Sequence, residues 1–65
     1  MKIGDIIRRR REARGVTQAA LARRAGLSRM HMIRIERDEI SPTLDTLEKV
    51  AKALGVTVRN LLPRG

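Results

Sequence analysis

Gly15, Gly26 and Gly55 each close a run that reads as helix, and a threonine or serine follows each of them within two residues, at Thr17, Ser28 and Thr57. This punctuation constrains the chain more than any other feature. A glycine ends a helix through a left-handed backbone, and a hydroxyl opens one by accepting from an orphan N–H. The chain is therefore cut into short helices. The first covers about 3–14, with Ile3, Ile6 and Ile7 at i, i+3, i+4 forming one apolar stripe. Gly15 stops it, and Val16 is placed to tuck back on the core. The second covers 18–25 behind Thr17, with Ala20 where a Glu or Gln would complete a capping box. Its alanines let another helix approach closely. The third covers 29–37. Only Leu27 and Ser28 separate it from Gly26, and so tight a turn forces a large crossing angle. The fourth covers 44–54, with Leu44, Leu47, Val50, Ala51 and Leu54 as its stripe, Thr43 as its cap and Val56 placed for a Schellman contact. A fifth, 58–62, follows Thr57 and ends at Pro63. No segment alternates with period two, so a single all-α domain over residues 1–65, a compact five-helix bundle without a sheet, is expected.

Composition excludes several classes. A chain of 65 residues buries only roughly 60 % of the surface it exposes unfolded, so its core is thin. Without cysteine there is neither a disulfide nor a thiolate metal site, and one histidine does not make an imidazole zinc site. The absence of aromatic residues removes the stacking platforms of single-strand binders. No apolar run nears the ~20 residues of a membrane span. Arginine begins at Arg8, where a signal peptide would need its apolar stretch, so none is expected. No nucleophile–base pair and no metal cluster can be assembled, so the expectation is no enzyme, no cofactor and no metal.

The charge is unevenly spread. Residues 1–37 hold eleven basic and three acidic side chains, a net of +8, and residues 38–65 hold four of each. A basic half on so small a domain attracts a polyanion: nucleic acid, an anionic membrane surface or an acidic protein.

A tight-turned helix pair with a small-residue first helix and a glycine in the turn is the physical signature of a helix-turn-helix, here about 17–37. The blocks Thr17-Gln18-Ala19-Ala20-Leu21-Ala22, Ala25-Gly26-Leu27-Ser28 and Ile35-Glu36-Arg37 resemble the lambda-repressor-like (Cro/XRE-type) helix-turn-helix family. Pro42-Thr43-Leu44, Leu47, Ala51 to Val56 and Leu61-Leu62 continue the likeness, which runs from about Ile3 to Leu62. It implies a five-helix DNA-binding domain, usually dimeric, of a bacterial or phage transcription regulator acting in the cytoplasm at the nucleoid.

Carried over residue by residue, the resemblance puts helix 3 in the major groove of double-stranded DNA. Arg29, Met30 and Arg34 take base-contacting positions. Thr17, Gln18, Ser28 and Arg37 take phosphate contacts, and Gln18 also braces helix 3. Arg11 matches an arginine that pairs with Glu36. Helical geometry independently sets Met32, Ile35 and Glu36 on one face of helix 3 and Met30, Ile33, Arg34 and Arg37 on the other. Arginine's fork matches guanine O6 and N7, so Arg29 and Arg34 either read guanine or hold phosphates. Met30 and Ile33 either touch thymine methyls or pack against helix 2 and the following loop. His31 has no partners for a metal and reads as an exposed side chain or a phosphate contact. Successive side chains of Arg8 to Arg11 point about 100° apart, so that run is not one patch.

Three departures from the family pattern stand out. Asp38 replaces the usual glycine after Glu36-Arg37, Asp38 and Glu39 put negative charge in a loop the family lays near phosphates, and Arg10 occupies a frequent core-leucine position. A second reading keeps the fold and makes it a protein-interaction module, an antitoxin or a co-activator. A cationic membrane-surface peptide fits poorly, because the stops divide the chain into short helices with separate stripes. A homodimer on a pseudo-palindromic operator is the economical arrangement, with Val58, Leu61 and Leu62 as its expected surface.

Overall fold

The computed structural model describes residues 2–63. Its elements are α1 (Ile3–Ala13), α2 (Gln18–Ala25), α3 (Arg29–Glu36), α4 (Leu44–Leu54) and a short 3-10 helix, Val58–Leu61. Among the described residues there is no strand.

All four α-helices end in the same way. The residue past each end donates back three residues, and the next N–H donates back five: Gly15 to Glu12 and Val16 to Arg11, Gly26 to Arg23 and Leu27 to Ala22, Asp38 to Ile35 and Glu39 to Arg34, Gly55 to Lys52 and Val56 to Ala51. This is the Schellman pattern, which needs a left-handed residue at the turn. Gly15, Gly26 and Gly55 supply it with φ of 66°, 71° and 71°, and Asp38 supplies it with φ of 58°. The starts are capped by hydroxyls. Thr17 accepts from the Ala20 N–H, Ser28 from His31 and Thr43 from Thr46, at 3.0–3.1 Å. Thr57 and Asn60 cap each other reciprocally at the head of the 3-10 helix.

The fifth element differs from the helix expected there. Pro63 cannot donate to a continuing helix and disfavours helical backbone in the residue before it. Leu62 accordingly turns extended, at φ −90°, ψ 141°, leaving room for one tight turn only. The bundle is thus four α-helices and a 3-10 turn.

The core is one cluster. Ile7, Leu21, Met32, Ile35, Val50 and Leu61 are its largest fully buried side chains. Ile3, Ile6, Val16, Leu27 and Val58 pack around it, half-buried. α2 is the central element, packing on α3 and on α4, while α1 packs on α3. Leu44 departs from its assigned stripe: it is 66 % exposed, because it is the first helical residue of α4 and projects past the end of the core. Leu61 departs from its assigned place on a dimer surface: it is fully buried beneath α1 and α4, so no partner chain could reach it.

Candidate nucleic-acid interface

The site is built on α3. This helix is only eight residues long and would not hold together alone in water. Its stability comes from the face it buries. Met32 and Ile35 are fully buried, and Glu36 is 3 % exposed. The opposite face carries Met30 and Arg34, both exposed, Met30 with 54 % of its surface open, and Arg29 is exposed as the first residue of the helix. Ile33 is half-buried, so it is less available to a partner than Met30. His31 is also half-buried, with its backbone N–H on the Ser28 hydroxyl.

A buried carboxylate is costly unless it is paired and hydrogen-bonded. Glu36 meets both conditions. Arg11 Nε donates to its Oε2 at 2.7 Å and Arg11 Nη2 to its Oε1 at 3.0 Å, a bidentate fork. Gln18 Nε2 donates to Oε1 at 3.1 Å. The remaining Arg11 nitrogen, Nη1, donates to the Val16 carbonyl at 2.9 Å. The hydrogen bonds to Glu36 hold the Arg11 guanidinium above the ordinary arginine range, against the opposing effect of its burial. One carboxylate therefore ties α1, the first residue of α2 and the last of α3 together. Gln18 was expected at a phosphate and as a brace. Its amide nitrogen is engaged in the brace, on Glu36.

Thr17 and Ser28, the other polar residues at the helix starts, use their oxygens as caps. A hydroxyl that accepts can still donate its own proton, so both retain a donor for an anion at the helix N-termini. Arg37 projects into solvent with its side chain 70 % exposed, and lies 3.8 Å from the Glu39 carboxylate, an exposed pair.

One residue escaped the sequence reading. Gly4, on α1, is buried against the end of α3. A Cβ there would sit 2.6 Å from the carbonyl oxygens of both Ile35 and Glu36. Its N–H donates to Asp38 Oδ1 at 3.1 Å, so that carboxylate caps the first turn of α1. The available signal was a glycine between isoleucines inside an apolar stripe, a poor helix former with no turn to explain it. Among the described residues no cluster of His, Cys, Asp or Glu is arranged to hold a metal, and no helix is long and apolar enough to cross a membrane.

A short capped helix, a glycine turn, and a second helix held by its inner face with arginines outward define a helix-turn-helix domain. The chain belongs to the Helix-turn-helix family, whose model matches residues 7–61. It is 48 % identical over 58 residues to the immunity repressor protein of Bacillus phage phi105, an alignment covering 89 % of this chain and 40 % of that one. The chain thus spans two fifths of that relative's length. Its fold is similar to the restriction-modification controller protein C.AhdI from Aeromonas hydrophila, with TM-score 0.90, 33 % identity, and 92 % and 91 % of the two chains covered. It is equally similar to SinR, described as the master regulator for biofilm formation and solved in complex with DNA, with TM-score 0.90, 35 % identity, and 95 % and 100 % covered.

Proposed function

We propose that this chain is a sequence-specific, double-stranded DNA-binding transcription regulator, not an enzyme, with α3 seated in the major groove. The observation that carries this reading is the division of α3: Met32, Ile35 and Glu36 fix the rod from within, while Arg29, Met30 and Arg34 stand outward along it. A rigidly held helix of this kind presents side chains to base edges with little ordering cost. Arg34 and Arg29 read guanine through their forks, Met30 lies against a thymine methyl, and Ile33 makes the lesser, partly covered contact. Thr17, Gln18, Ser28 and Arg37 flank this row and hold phosphates, Gln18 chiefly by bracing α3. The similarity to SinR, whose structure contains DNA, and to a phage repressor supports the same reading. Its setting is the cytoplasm of a bacterial cell, at the nucleoid.

The test is selection of duplexes from a random pool, followed by Arg34→Ala on the selected sequence. Loss of discrimination at one base position by roughly 1–3 kcal/mol is expected. Equal weakening on all sequences demotes Arg34 to a phosphate contact, and a pool that enriches nothing at any salt concentration overturns the reading.

A further inference from the structure

Away from α3, two adjoining hollows of about 190 and 430 Å³ share Arg24 and Ala53 and so form one trough. Its rim is cationic: Arg14 just past α1, Arg24 in the last turn of α2, and Lys49 and Lys52 on α4. Its floor is Ala25 and Ala53, small apolar side chains without hydrogen-bonding groups. Among the described residues, no carboxylate lies within 4.0 Å of Arg14, Arg24 or Lys52, and Lys49 has only the exposed Asp45 at 3.2 Å. Cations near helix C-termini complement the helix dipole. That accounts for Arg14, Arg24 and Lys52 singly. It does not account for Lys49, which sits in the middle of α4, or for the four converging around one apolar floor.

We propose that this trough docks an acidic peptide segment of a partner protein, one apolar residue flanked by carboxylates. The floor suits a methyl-bearing side chain, and the rim suits carboxylates on either side of it. A duplex is a stiff rod of phosphates that would span the rim and leave the floor wet. A second copy of this chain arrives with its own +8 and is repelled. The trough is lined from α2, α4 and the end of α1, and none of its lining residues belongs to α3, which carries the reading row.

The experiment uses a short glutamate-rich peptide with one central leucine, followed by fluorescence anisotropy and by amide shifts of the labelled protein. Shifts are expected at Ala25, Gly26, Lys49, Lys52 and Ala53. The Arg24→Glu/Lys52→Glu variant should bind roughly tenfold more weakly, as two exposed attractions become repulsions. Replacing the peptide's leucine with serine should also weaken binding. If thermal melting shows that the charge-reversed variant does not fold, Arg24→Gln/Lys52→Gln should show a smaller loss in the same direction. Arg34→Ala should leave peptide binding unchanged, so failure of docking and failure of DNA reading separate. The proposal is overturned if the peptide does not bind, if the variants bind it as the parent does, if the serine peptide binds equally, or if the shifts fall on α3.

Discussion

At Glu36 a single side chain accepts three hydrogen bonds, two from Arg11 and one from Gln18, in a position 3 % exposed. Removing one partner of such a pair strands the other. Glu36→Ala is expected to cost roughly 3–5 kcal/mol in urea unfolding, which is most of the stability of a domain this small. Glu36→Gln keeps an oxygen acceptor for Arg11 and should cost less; equal losses would show that charge, not shape, holds α1 to α3. Asp38 poses an opposed pair of effects. Its left-handed backbone is unfavourable for a side chain, and its carboxylate relieves that cost by accepting from Gly4. Asp38→Asn should therefore be nearly neutral, since asparagine tolerates the backbone and can still accept. Asp38→Ala loses the acceptor and keeps the strain, and should destabilise by about 1–3 kcal/mol. Gly4→Ala should be worse than a surface substitution by a wide margin, because the added methyl meets two backbone carbonyls that cannot move without shifting the end of α3. A Gly4→Ala melt matching that of the parent chain would remove the close approach from the account.

The elements show why some of this was legible in the sequence and some was not. Capping is local chemistry, so Thr17, Ser28, Thr43 and Thr57 could be placed from neighbouring residues alone, and the α-helix ends fall within one residue of the expected ones. The Arg11–Glu36 pair spans 25 positions and no periodicity connects it; only the family resemblance pointed there. The contact of Gly4 with α3 and Asp38 is equally long-range, and the resemblance carried no word of it. Leu44 shows the limit of periodicity itself. A stripe gives the direction in which a side chain points, but not whether the core extends that far along the helix axis. Its 66 % exposure predicts that Leu44→Gln changes stability by no more than about 0.5 kcal/mol. Leu47→Ala, one turn further in at 6 % exposure, should cost about 2–5 kcal/mol. Paired urea titrations check the contrast, and comparable losses at the two positions would mean that α4 buries its first turn after all.

For the whole molecule, the question is how a domain with so little surface pairs with itself. A stable interface needs about 800 Å² from each partner. The accessible surface here is 4401 Å², so pairing would cover about a fifth of it. Of the three apolar residues expected to supply that patch, Leu61 lies wholly inside, Val58 is half-buried, and Leu62 alone stands out, 43 % exposed. One leucine, on a body carrying +8, does not overcome the cost of association. The isolated chain should therefore sediment as a monomer at micromolar concentration. Two chains should assemble on a duplex that carries two half-sites ~34 Å apart, since the DNA neutralises the charge and holds one chain beside the other at high effective concentration. Leu62→Asp should then reduce cooperativity between half-sites while leaving affinity for a single half-site unchanged. A dimer in the absence of DNA would mean that some other surface carries the pairing, and the cationic sides of the molecule would then need partners that the chain's own seven acidic residues are too few to provide.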